Sequence, residues 1–240
     1  MIIEVCANSV ESAVIAEKAG ADRLEVCSEL GIGGITPSLG VLTRIREMVS
    51  IPVHILIRPR SGHFSYSDLE FDVMLSDIDR CAEMGFEGIV SGVLRPDFTL
   101  DRARTAALVE RAAGMKFTFH RAFDWVVDPF ETLAELETIG VDNILSSGQR
   151  NRAVEGMPLL KKLLGKAVNS TIIPAAGIRS PFALELKELG FSALHLSGIN
   201  LYPELDASSK ISMMSPGLLS DDSIALTNGE IIEQVIKTVK

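Results

Sequence analysis

Short apolar runs alternate with amphipathic segments along the whole chain. The runs Ile2–Cys6, Arg23–Cys27, Val53–Ile57, Gly88–Ser91, Lys116–His120, Asn143–Ser146, Ile172–Ala176 and Ala193–Ser197 have strand length and strand composition. Helical spacing fills the intervals, at about Ser9–Ala19, Ser38–Val49, Ser67–Met84, Leu100–Ala113, Pro129–Ile139, Ala153–Leu164 and Ser180–Leu189. Gly20, Gly85, Gly140 and Gly190 follow helix patterns, where a left-handed cap is expected. Eight strand–helix units predict an α/β protein whose parallel sheet closes into a single TIM-type (β/α)8 barrel. An open doubly wound sheet is the alternative, but no Gly-x-Gly-x-x-Gly turn follows the first strand. Tyr202–Thr227, rich in Ser, Asp and Pro, reads as a long loop, and Gly229–Val239 as a last helix that closes the barrel. No linker divides the chain: 1–240 reads as one domain, with the barrel in 1–200 and the late loop and closing helix in 201–240.

Strand parity then assigns faces, because residues two apart share one side. Inward positions are Glu4 and Cys6, Glu25 and Cys27, His54, Leu56 and Arg58, Thr118 and His120, and Ala193, His195 and Ser197. Leu194 and Leu196 face the helices. The motif Glu-Val-Cys occurs twice, at Glu4–Cys6 and at Glu25–Cys27, and each copy puts a carboxylate and a thiol on one side. A barrel interior is ordinarily packed with Val, Ile and Leu. Carboxylates there are costly unless they are paired or working, so the interior and its C-terminal mouth are the place to look for chemistry. A buried ion-pair network without chemistry is the plainer reading of the same residues.

Composition narrows the classes. The chain has 240 residues, 47% hydrophobic, so a large core can be buried, and there is no apolar run long enough to span a membrane. Met1–Ser12 reads as a first strand rather than a signal peptide. A net charge of −9 argues against a nucleic-acid or anionic-membrane surface. The three cysteines show no zinc-type spacing, which with no export signal implies reduced thiols and a cytoplasmic protein. Cys81 lies on a helix pattern and is expected to pack in the core.

Two chemistries suit the mouth. Arg58, Arg60, Arg95, Arg121, Arg150 and Arg179 all follow strands, an arrangement suited to an anionic ligand, or else to pairing with acids such as Asp97 and Asp124. Gly177 with Arg179, Ser197 with Gly198, and Gly148 sit in turns that can bring backbone N–H groups to a phosphate. On this reading Arg58, Arg60 and Arg179 clamp the anion, Glu25 and His120 are acid and base candidates, and Asp124 orients a partner. Alternatively, Cys6 and Cys27 end neighbouring strands, about 4.8 Å apart, and could hold a linear Cu(I) ion between soft sulfur ligands. His54 or His120 would neighbour it; Met213 and Met214 are soft groups on the late loop.

In order, Glu4–Cys6, Ala21–Cys27, Gly33–Ser38, Arg58–Gly62, Phe64–Asp68, Thr118–Asp124 and Leu145–Gln149 resemble the CutC copper homeostasis family, from Met1 to about Gly198. The resemblance implies a TIM-type barrel, a cytoplasmic protein with a role in copper tolerance, and Cu(I) binding through Cys6 and Cys27; it implies no established reaction. Pro174–Gly177 carries less glycine than the family pattern, and Ser208–Ser212 lacks an arginine expected there. The leading expectation is thus a copper homeostasis protein, with an enzyme acting on a small anionic or phosphorylated metabolite as runner-up and a scaffold third. The expected partner is a copper ion or a small anion, without nucleic acid or membrane, and a homo-oligomer stays open.

Overall fold

The computed structural model describes residues 1–204, 211 and 223–240. Eight parallel strands form one sheet: β1 Ile2–Ala7, β2 Arg23–Val26, β3 Val53–Leu56, β4 Gly88–Ser91, β5 Lys116–Phe119, β6 Asn143–Ser146, β7 Thr171–Pro174 and β8 Ala193–Leu196. The ladder runs in chain order from β1 to β7, β8 pairs with β1, and β7 packs beside β8 to complete the ring. The helices between them are α1 Val10–Lys18, α2 Leu39–Met48, α3 Asp68–Glu83, α4 Arg102–Arg111, α5 Pro129–Ile139, α6 Met157–Lys166 and α7 Ser180–Glu188, and α8 Gly229–Val239 ends the chain. The TIM-type barrel expected from the alternation is therefore what forms.

Local chemistry sets these boundaries. Ser9, Ser38 and Ser67 each accept a backbone N–H from the first turn of the following helix, and Ser67 with Glu70 makes a reciprocal capping box. Pro181 and Pro129 sit in first turns, where a missing N–H costs nothing. The largest boundary difference from expectation is at α6, which starts at Met157 rather than Ala153. Residues 150–156 instead fold against the end of β6, and Gly148 (φ +69°) touches Gly156 so closely that a Cβ on Gly148 would lie 2.2 Å from the Gly156 carbonyl oxygen. That contact, invisible to helical periodicity, delays the helix.

The stretch read as one long loop also begins and ends in structure. β9 Ile199–Pro203 pairs antiparallel with β10 Ser223–Thr227. Asn8 donates to the Ala225 carbonyl at 3.0 Å, and the Thr227 amide donates to Ser12 Oγ at 3.1 Å, pinning the hairpin base beside β1. Met213, Met214 and the stretch Ser208–Ser212, apart from Ile211, lie outside the described residues. Among the described residues no helix is long and apolar enough to cross a membrane.

Parity divides the side chains as the sequence implies. Ile3, Val5, Leu24, Val26, Ile55, Phe117, Phe119, Leu194 and Leu196 join the helix faces in one outer core, which also takes Cys81. A smaller cluster, with Cys6, Cys27, Leu56, Val90, Leu145 and Ile173, fills the barrel axis. Its apolar members come mainly from β3, β4, β6 and β7, whereas the charged interior residues gather on β1, β2, β3 and β8.

Candidate functional site

The lower interior is a buried ionic network around Glu4, in which Arg23 Nη2 and His54 Nδ1 keep no hydrogen-bond partner. In the β1–β2 register Glu4 stands opposite Arg23, and in the β1–β8 register opposite His195. Its carboxylate accepts from Arg23 Nε at 2.6 Å and from His195 Nδ1 at 2.8 Å, with His54 Nδ1 at 4.0 Å. Burial alone would raise Glu4, but the His195 hydrogen bond and the charges of Arg23, His195 and His54 outweigh it and hold the carboxyl at about 2. Burial lowers His54 to about 4. Burial also opposes charge on His195, yet Glu25 and Glu4 together raise it above the ordinary value. Arg23 had not been singled out in the sequence, although the parity that points Glu25 inward extends to it.

Above this network a cavity of about 310 Å³ opens at the C-terminal ends of the strands. Cys6, Glu25, Arg58 and His120 line its walls, and Gly177, Arg179 and Ser197 line its rim. The stagger between β1 and β2 puts Cys6, not Glu4, opposite Glu25. The Cys6 thiol donates to Glu25 Oε1 at 3.5 Å and stands 3.7 Å from Cys27 Sγ. Cys6, Glu25 and His195 present ligand-type atoms within 4.8 Å of one another. The hydrogen bond with Cys27, then burial and the neighbouring Glu25, push the Cys6 thiol well above its ordinary value. Burial raises the Glu25 carboxyl, and its Oε2 is buried without a hydrogen-bond partner.

His120 ends β5 and caps the short 3-10 turn that follows. Its Nδ1 accepts the Ala122 amide at 3.2 Å, so in the neutral ring the proton resides on Nε2. That Nε2 is buried and unpartnered. Burial, and secondarily the charge of Arg58, lower His120 to about 3, which keeps the ring neutral. Phe64 packs on it with ring centres 4.8 Å apart.

The rim arginines divide. Arg58 reaches the cavity, but its guanidinium holds loops, donating to the carbonyls of Ile32, Gly34 and Gly62 at 3.1, 2.7 and 2.8 Å; only its Nε lacks a partner. Arg60 stands outside the cavity, paired with Glu70 and bonded to the Ser61, His63 and Ser65 carbonyls. Arg121 lines the cavity, held by Asp124 and Ser147 at 2.9 Å each. Arg179 is exposed at the rim and donates only to the Ile178 carbonyl among the described residues. Arg95 and Arg150 line separate surface hollows.

The other expected residues are placed as follows. Asp124 is not in the cavity wall; it accepts from the Ser146 and Ser147 hydroxyls and from the Ser147 and Gln149 amides, tying the loop after β6 to Arg121. The cavity-lining side chain it holds is Arg121. The Gly148 amide is already spent on Ser146 Oγ at 2.9 Å. Gly198 packs on α8, where a Cβ would lie 2.6 Å from Ile232. Cys27 is fully buried and does not line the cavity, although its sulfur stands 3.7 Å from that of Cys6, which does. Sequence reasoning put Arg121 on the rim and His195 inside without giving either a role; its inward parity was the signal for His195.

Comparison with known proteins agrees with this architecture. The model of the CutC family matches residues 1–200. The family protein CutC of Erwinia tasmaniensis is 44% identical over 195 residues, 81% of this chain and 78% of its own length. That of Serratia proteamaculans is 39% identical over 233 residues, 96% of this chain and 92% of its own. The solved structure of CutC from Streptococcus agalactiae, whose name assigns it provisionally to copper homeostasis, superposes with a TM-score of 0.78 at 29% identity, covering 82% of this chain and 98% of that one. This chain belongs to the CutC family.

Proposed function

We propose that this chain is a cytoplasmic copper-homeostasis protein that takes Cu(I) as cargo on Cys6 and Cys27. The 3.7 Å between the two sulfurs carries the reading. Thiolates select Cu(I) among soft ions. A linear two-coordinate ion would set its sulfurs roughly 4.6 Å apart, twice a metal–sulfur bond of about 2.3 Å. The present gap is shorter, so binding either spreads the sulfurs or recruits a third ligand, and Glu25 and His195 stand beside Cys6 to serve. Two thiolates on Cu(I) leave one net negative charge, which Arg23 offsets from below.

The test is an anaerobic titration of the reduced protein with Cu(I) against a competing chelator, beside the Cys6→Ser, Cys27→Ser double variant. One tight equivalent is expected in the wild type and none in the variant. Both thiols must lose protons, so affinity should rise with pH by up to about a hundredfold per unit. Binding unchanged in the double variant overturns the assignment.

A second reading, an enzyme acting on a small anionic metabolite, rests on a separate observation. Two buried, unpartnered atoms, Glu25 Oε2 and His120 Nε2, belong to walls of one cavity whose rim carries Arg121 and Arg179. The readings separate on one pair of variants. Cys27→Ser should end Cu(I) binding and spare turnover, and His120→Ala should do the reverse.

A further inference from the structure

We infer that the cavity is built to bind a short, hydroxylated organic anion: His120 Nε2–H donates to one of its oxygens, Glu25 Oε2 meets a hydroxyl, and the rim formed by Gly177, Arg179 and Ser197 takes the anionic end. The inference rests on the second reading in placing a small anion here, and goes further in naming what the rest of that molecule must present.

The wall is the stronger part of the argument. Glu25 and His120 are each only 6% exposed, and each keeps one polar atom unpaired. A buried polar atom without a partner costs on the order of a lost hydrogen bond; three residues that line the cavity, Glu25, Arg58 and His120, each keep one, sealed from the open space as the side chains stand, and a ligand that turns Glu25 and His120 toward it completes their bonding. The Ala122 amide fixes the His120 tautomer, which makes Nε2 a donor and demands an acceptor oxygen. Glu25 Oε2 accepts when the carboxyl is ionised and can donate when it is protonated. A hydroxyl satisfies it in both states, because it is donor and acceptor together. An anion whose remaining part is hydrocarbon, without a hydroxyl, would leave both atoms orphaned.

The rim supplies charge recognition. Ala176 and Gly177 both take positive φ, +78° and +76°, folding the turn after β7 tightly into α7. No side chain caps α7, so its first-turn N–H groups, save at Pro181, which has none, and the exposed Arg179 remain for an anion. The volume of about 310 Å³ lies at the lower end of ligand cavities, which points to a molecule of a few carbons. Phosphate and carboxylate share this chemistry, so both are tested.

Calorimetric titration of the reduced, copper-free protein with glycerol 3-phosphate, glycerate, inorganic phosphate and glycerol decides the matter. Glycerol 3-phosphate or glycerate should bind at least tenfold more tightly than inorganic phosphate or glycerol, and the tighter of the two names the anionic group. His120→Asn keeps an acceptor for the Ala122 amide, since Asn is a favoured cap, but withdraws the donor from the cavity. It should weaken the hydroxylated anion at least tenfold and leave inorganic phosphate within about twofold. Arg179→Ala, at an exposed site with no folding role, should weaken both. If inorganic phosphate binds as tightly as the hydroxylated anions and His120→Asn changes nothing, an anion site exists and this inference falls. If none of the three anions binds, the second reading falls with it.

Discussion

Glu4 and Glu25 occupy the same local motif, each two residues before a cysteine on neighbouring strands, and both are buried. Their environments are opposite. Glu4 is bonded to Arg23 and His195 and stays ionised down to about 2. Glu25 is raised by burial, accepts only a thiol, and leaves one oxygen bare. The difference arises from barrel stagger, which sets Glu4 level with Arg23 and Glu25 level with Cys6, one layer nearer the mouth. One carboxylate therefore belongs to the scaffold and the other to the cavity, although the three residues of the shared motif cannot tell them apart.

The contrast between a paired carboxylate and a bare one sits among buried imidazoles, and pH acts on it most strongly. His54 at about 4 and His120 at about 3 stay neutral in the fold, against an ordinary 6.5. Below 6.5 the unfolded chain binds both protons and the folded one neither, so stability falls as pH drops toward 4. The two imidazoles set a limit of roughly 2.7 kcal/mol per pH unit, at about 1.36 for each proton, and Glu25, raised by burial, works against it as the fold takes up its proton, so the net slope stays below that limit. His195 has the opposite sign: raised in the fold, its contribution is complete below 6.5 and is lost as pH rises through its folded value. The contribution of Glu4 is present above 4.5 and fades as pH falls toward about 2. Urea midpoints measured at pH 7, 6 and 5 should fall steadily, and a flat series would show that the two imidazoles are not held neutral.

Next in size is Glu4→Gln. It removes the one charge that both Arg23 and His195 bond to, and stripping one member from a buried ionic network costs about 3–5 kcal/mol. Equilibrium denaturation at pH 7 reads this, and a loss below about 1 kcal/mol would erase the distinction between the two carboxylates. Smallest is Glu25→Gln. Burial already penalises the Glu25 carboxylate, and the amide can accept from Cys6, so stability should move by less than about 1 kcal/mol in either direction. Binding of Cu(I) or of the hydroxylated anion should suffer instead. A destabilisation matching that of Glu4→Gln would place Glu25 in the scaffold as well.

The fold was largely legible because its signals are local. Eight apolar runs, serine caps such as Ser67 and stop glycines such as Gly140 act over a few residues, and sidedness in a strand follows from parity alone. Parity also brought Cys6, Glu25, His54, His120 and His195 inside without knowledge of any contact. The hairpin of β9 and β10 was not legible, because its strands are short, mostly exposed, and held by bonds to Asn8 and Ser12 more than two hundred residues away in the chain. Nor was the late start of α6, which depends on Gly148 meeting Gly156.

The site was legible in membership and illegible in role. By itself the sequence determined that two thiols, two carboxylates and three imidazoles would share the inside of a barrel, since alternation is a property of the strand. Only the tertiary structure decided what each does. The stagger sent Glu4 to Arg23 and Glu25 to Cys6. Loop carbonyls took up most of Arg58, Glu70 took Arg60, and Arg179 alone of those three stayed open at the rim. Hydrogen bonding is short-ranged and directional. Which donor meets which acceptor is therefore settled by how strands and loops from distant parts of the chain are set against one another, and no local pattern carries that information.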